Sequence, residues 1–215
     1  MEVALIAITH YLRGGGTPEE LLEYAGRVCY RSQGRGDPGR FLRARIREGH
    51  ESLIEHASAT FEVSGISRAC SHQLVRHRLA SYSQESQRYV SMESPEWVVP
   101  PAIAADPNAL AIWEQFVAGV RQAYQALRQC GVHKEDARFV LPNATATRII
   151  VTMNFRELLH VFRLRISPEA QWEIRELCVR MLELIYPHAP NVFGPLRDEL
   201  RERYPGFFGV GEPCV

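Results

Sequence analysis

Apolar and polar positions recur with two different periods along this chain, and each change of period marks an element. "MEVALIAITH", residues 1–10, carries a short apolar run that reads as a first strand. In "TPEELLEYAGRV" Leu21, Leu22, Ala25 and Val28 share one helical face, with Thr17 as cap, Pro18 at the first helical position and Glu20 completing a capping box. A second helix is expected after Asp37 and Pro38, running through "RFLRARIREGH" and stopping at Gly49. "ASATFEV" then alternates: Ala57, Ala59, Phe61 and Val63 on one side, Ser58, Thr60 and Glu62 on the other, the pattern of a half-buried strand.

From Ser67 to about Arg78 the period returns to helical, with Ala69, Cys70 and Leu74 on one face and Gln73, Arg76 and His77 on the opposite flank. It is lost past Leu79, and in "SQRYV" Ser86 and Arg88 are expected to point the same way from an extended segment. "NALAIWEQFVAGVRQAYQALRQCG" places Trp113, Phe116, Val120, Tyr124 and Leu127 on one stripe of a long helix ending at Gly131. "TRIIVTM" reads as a buried strand, and Asn154 can cap "NFRELLHVFRLR". Pro168 opens a last helix with Ala170, Ile174, Leu177, Met181 and Ile185 on its apolar face, and the proline- and glycine-rich tail after Pro187 reads as irregular. The expected fold class is α+β: a mainly antiparallel sheet packed with several long helices in a single domain over residues 1–215.

Composition narrows the function. At 215 residues and 46% hydrophobic the chain can bury a sizeable core. Lys+Arg and Asp+Glu balance at 25 each, so an anionic ligand must be met by local clustering, and binding of nucleic acid is disfavoured. Lys134 is the sole lysine, which lowers the weight of arginine identity and raises that of position. Five cysteines, odd in number and without a CxxC pair, argue against a disulfide framework and a structural zinc site. No stretch reads as a membrane span or leader, and the expectation is a cytoplasmic chain in a reducing compartment.

Most candidate motifs have a plain alternative. "RGGGTPEE" lacks the ending of a P-loop and reads as a turn. His50, His56, His72 and His77 show no metal-ligand spacing, so no metal is expected. Pro213 and Cys214 form a proline-cysteine pair like that of the cysteine-dependent thymidylate synthases, but at the very end of a loose tail. Arg156, His160 and Arg163 line one helical flank, alone no more than a solvated face. "RHRLASYSQESQRYV", residues 76–90, is different: basic side chains meet serine, tyrosine and glutamine donors, with Glu85 the one acid. Such donors suit phosphate, sugar and uracil-like carbonyls, and arginine forks two hydrogen bonds onto one oxyanion.

This stretch resembles the RHRxxSxNxxSxR signature of the flavin-dependent thymidylate synthases (ThyX), with Arg76, His77, Arg78, Ser81, Ser86, Arg88 and Tyr89 in register and Ser83 in place of the asparagine. "GHESLIEH", "ARFVLPNATATR" and "NFRELLHVFRLR...AQWEI" extend the resemblance over most of residues 20 to 186. It implies an FAD-dependent methyltransferase that methylates dUMP reductively to dTMP, with methylenetetrahydrofolate as carbon donor and NADPH as reductant. The family binds FAD across subunits of a homotetramer. Carried onto this chain, the flavin falls to His50, Ser52, Arg76, His77, Arg78, Gln84, Asn154, Arg156 and His160. The dUMP falls to Gln73, Arg76, Gln84, Glu85, Ser86, Gln87, Arg88, Arg138 and Arg165. Arg165 is the expected catalytic group, polarising the uracil without a protein nucleophile; Ser86 lacks a nearby histidine base and is read as a positioning residue. Two other classes remain: an RNA-binding module, which should show a basic excess and aromatic platforms, and a different flavoprotein reductase.

Overall fold

A computed structural model of the chain describes residues 1–29, 31 and 38–209. Its main elements run β1 (Glu2–Ile8), α1 (Pro18–Val28), α2 (Pro38–Arg47), a 3-10 turn (Glu51–His56), β2 (Ser58–Ser67), α3 (Arg68–Leu74), β3 (Ala80–Gln84), α4 (Pro101–Ala104), α5 (Pro107–Gln129), α6 (Lys134–Ala137), β4 (Ala146–Asn154), α7 (Phe155–Arg165), α8 (Trp172–Ile185), α9 (Pro190–Arg203) and α10 (Pro205–Phe208). The fold is α+β, with one antiparallel sheet in the order β1-β2-β4-β3 and helices dominant. Among the described residues no helix is long and apolar enough to cross a membrane. Asp37, Pro213 and Cys214 lie outside the described residues.

Proximity in space divides the chain into two compact units: Met1–Glu2, Val63–Val75 and Ser83–Ile149 form the first, and Val3–Glu62, Arg76–Tyr82 and Ile150–Val215 the second. In the first unit α5 ends as expected, with Gly131 at φ 84°, a left-handed conformation that glycine adopts without strain. Its apolar stripe packs only along the C-terminal half. Val120 and Tyr124 are buried, but Phe116 is 50% exposed. Tyr124 packs with Met92 and Ala137, and its hydroxyl accepts the Met92 backbone N–H at 3.3 Å, so its polar end is satisfied inside the core.

In the second unit the capping box of α1 forms as the sequence predicts, the Thr17 side chain accepting from Glu20 N and the Glu20 carboxylate from Thr17 N. Ala59 and Phe61 are buried on one face of β2, and Ala57 just before it is buried too. The core joins Leu22, Leu42 and Ile54 to Ile174, Leu177, Met181 and Ile185, all fully buried, and Phe193 meets Phe155 and Phe162 edge-on at centroid distances of 5.0 and 6.0 Å.

Four expectations change. β4 is half-buried, not buried: Thr147, Ile149, Val151 and Met153 face inward, while Arg148 and Ile150 alternate outward. α8 starts at Trp172, four residues after Pro168, because the Gln171 side chain caps Glu173 N and Ile174 N. α3 ends at Leu74, so Arg76 and His77 leave its flank, and β3 occupies Ala80–Gln84 where no periodicity was evident. The tail is helical rather than irregular: α9 buries Val192, Phe193, Leu196 and Leu200 at helical spacing.

Candidate active site

Asn154 decides where α7 begins. Its side chain accepts the Glu157 N–H at 2.8 Å, satisfying a donor the helix leaves free, and the helix then presents Arg156, His160 and Arg163 on one flank. Opposite them stands the turn Glu51–His56. Arg156 donates to Glu55 at 2.5 Å and lies 3.6 Å from Glu51, which also accepts from Arg163 at 3.2 Å. The hydrogen bond to Glu55 holds the Arg156 guanidinium above its ordinary pKa. These groups wall a cavity of about 560 Å³ that also takes in Leu79, Asn154, Glu157 and His160. The helical stripe is therefore one wall of a cleft. His50 and Ser52 are exposed at or next to the same turn, His50 lying 3.9 Å from Glu48.

His77 is buried at 5% exposure in the same unit. Its Nε2 accepts from Arg165 Nε at 3.0 Å, which assigns the ring proton to Nδ1, 3.7 Å from the buried Glu157 carboxylate. The His160 ring meets it edge-on, with centroids 6.0 Å apart. Burial, then the charges of Arg165 and His160, push the His77 pKa down to about 4. Tyr82 donates to the His77 carbonyl at 2.8 Å; burial first, then Glu157, drives its own pKa upward. Arg76 and Arg78, one on either side of His77, are exposed.

The first unit holds most of the residues assigned to dUMP. Gln84 ends β3 with its amide nitrogen committed to Ser71 Oγ at 2.9 Å and Thr147 Oγ1 at 3.2 Å, which fixes the amide orientation. Glu85 continues the pairing, its N–H on the Arg148 carbonyl at 2.9 Å. Residues Ser86 to Val90 then form a turn rather than an extended segment, with Tyr89 N and Val90 N on the Ser86 carbonyl and Arg88 N on Ser86 Oγ. Gln87 is buried beneath it. Arg88 and Arg138 come together on Glu135: Arg88 Nε bonds its carboxylate at 3.1 Å and Arg138 Nε its backbone carbonyl at 3.0 Å. Arg68 joins this basic group, its pKa lowered by burial first and then by the Arg138 charge. Gln73 lies half-buried on α3.

The residues between 9 and 191 match the family model described as thymidylate synthase complementing protein. The chain is 49% identical over 187 residues to the flavin-dependent thymidylate synthase of Geobacter sulfurreducens, 82% of this chain and 81% of that one. It belongs to the flavin-dependent thymidylate synthase family. Another flavin-dependent thymidylate synthase, from Pyrococcus furiosus, is 50% identical over 139 residues, 63% of this chain and 57% of that one. A crystal structure of thymidylate synthase X from Helicobacter pylori with FAD and dUMP shares the fold at a TM-score of 0.76 and 21% identity, over 92% of this chain and 99% of that one.

For a flavin-dependent thymidylate synthase, an enzyme of the methyltransferase type, the structure adds residues that sequence reasoning did not single out. Glu51, Glu55 and Glu157 supply the carboxylates of the cleft in the second unit, and in the first Arg68 extends the basic group that Glu135 pairs with. Glu51 and Glu55 had a local signal, standing four apart around Ser52 in "GHESLIEH". Glu157 had none, because a glutamate in the first turn of a helix is ordinary dipole complementation. Among the described residues no group of three His, Cys, Asp or Glu side chains is placed to hold a metal ion.

Proposed function

We propose that this chain methylates dUMP reductively to dTMP, taking the carbon from methylenetetrahydrofolate and reducing equivalents from NADPH, without a cysteine nucleophile. The observation that carries this reading is the hydrogen bond from Arg165 to a buried, neutral His77. The Arg165 guanidinium lends positive charge to the uracil, where it favours charge developing at N3 and O2 and so electron density at C5.

The donors of the second unit fit a flavin nucleotide. Asn154, Arg156 and His160 line the cleft, with His77 behind them and Arg76, Arg78, Ser52 and His50 exposed in the same unit. Gln84 is assigned with them by family resemblance. Bound FAD, once reduced, supplies the hydride. The diphosphate is met by Arg156 of the cleft and the exposed Arg76 and Arg78, while Leu79 offers an apolar wall. In the first unit Arg88 and Arg138 meet the dUMP phosphate, and Gln73, Gln84, Glu85, Ser86 and Gln87 orient the nucleotide; Arg76 is assigned to it by family resemblance. Two of the cysteines do not suit a nucleophile's role: Cys178 is fully buried and its pKa is pushed up to about 12, and Cys70 is buried as well. The working unit is a cytoplasmic homotetramer.

A visible absorption spectrum tests the reading. The protein should purify yellow, bleach on anaerobic addition of NADPH, and consume methylenetetrahydrofolate only when dUMP is present. A colourless preparation that takes up no added FAD overturns it. Light scattering that finds an active monomer overturns the tetramer.

A further inference from the structure

A second cavity in the second unit, about 750 Å³, lies among α2, α7 and α9. Its rim is arginine: Arg40, Arg43 and Arg47 stand at i, i+3 and i+7 on α2, so helical geometry stacks them along one face, and Arg163 reaches the cavity from α7. Its floor is apolar, built from Ile46, Pro195 and Leu196. Glu199 is the single acid among the lining residues. A solvated helix face interleaves charges of both signs. Here the neighbouring Glu48 instead pairs with Arg45 at 2.9 Å, outside the cavity lining.

The wall is built to hold its shape. Asn191, at the start of α9, has its amide nitrogen and its backbone N–H bound by Glu19 at 2.7 and 2.6 Å, which turns the amide oxygen toward Arg43, its donor. The side chain presses on α2 where Gly39 leaves room, and a Cβ there would collide with the amide. None of the residues assigned to flavin or dUMP lines this cavity. Arg163 is shared with the flavin cleft, so the two cavities are neighbours in one unit.

We propose that this cavity binds a phosphorylated nucleotide, with the phosphates on the arginine rim and the base on the apolar floor. Its volume lies within the range of small-molecule sites, roughly 300–1,000 Å³. Guanidinium groups fork onto phosphate oxygens and stack on planar bases, which matches the two chemistries of the lining. The assignment stands whether or not the flavin reading holds.

Calorimetric titration with magnesium-free adenosine triphosphate, on protein saturated beforehand with FAD and dUMP, tests it. Saturable binding is expected, weakened roughly tenfold or more in the double variant Arg40→Gln/Arg47→Gln. Inorganic tripolyphosphate should bind more weakly than the nucleotide, since it leaves the floor uncovered. The variant's thermal unfolding must match wild type; should it not, Arg47→Gln alone is titrated, and the same direction of loss is expected. No saturable heat, unchanged affinity in a folded variant, or tripolyphosphate as tight as the nucleotide each overturns the proposal.

Discussion

Arg165 Nε donates to His77 Nε2 at 3.0 Å, and the accepting ring is almost wholly buried. The contact orients a cation through a neutral group. It also makes His77 a proton-sensitive part of the fold, because a proton on Nε2 would remove the acceptor and set two positive groups face to face.

Stability should therefore fall on the acid side. His77 titrates near 4 in the folded chain against an ordinary value of 6.5. Between those values the unfolded chain binds a proton that the folded chain excludes, so the contribution is complete above about 6.5 and is lost as pH falls through about 4. Thermal unfolding followed by circular dichroism across that window should show a steeper loss in wild type than in His77→Gln. Identical slopes would remove His77 from the account.

Arg165→Ala should lower turnover at saturating dUMP roughly a hundredfold to a thousandfold, as loss of a preorganised donor does. Arg88→Ala should instead raise the dUMP concentration required, with turnover at saturation near wild type; Arg88 is exposed and its Glu135 pair adds little to stability. Saturation kinetics for both separate the roles. If Arg165→Ala loses affinity alone, it belongs with the phosphate-binding residues.

Thiol chemistry offers an independent check. Treating native protein with a thiol-alkylating reagent should modify Cys29 and Cys130, which are exposed, leave Cys70 and Cys178 intact, and preserve turnover. Cys214→Ala should be equally silent. Loss of several orders of magnitude in a folded Cys214→Ala protein would favour a cysteine nucleophile.

Asn154 caps α7 and is proposed to bind FAD, and substitution can part the two. Asn154→Ala removes the cap of α7 and should destabilise by about 1 kcal/mol. Asn154→Asp keeps an acceptor for Glu157 N and should restore the unfolding temperature, while its negative charge depresses FAD content. Equal FAD content in wild type and Asn154→Asp would leave the residue a cap only.

Local rules were enough for some of this protein. Thr17, Pro18 and Glu20 interact within one turn, and Asn154 with Glu157 likewise, so those helix starts were legible in the chain. The alternation in β2 was legible because burial on one face imposes a period of two. The order of residues in the "RHR" stretch likewise pointed to the family without any coordinates. Contacts between distant segments were decided only by tertiary structure. α9 was hidden because Glu19, 172 positions away, supplies the acceptor for Asn191 N that a local cap normally provides. Spacing alone left Arg156 and His160 a solvated stripe and the family resemblance assigned them to the flavin, but the facing carboxylates of Glu51 and Glu55 came only with tertiary structure. The same holds for His77: its neutrality depends on burial and on Arg165, 88 positions later in the chain, and no property of residues 76 to 78 encodes either.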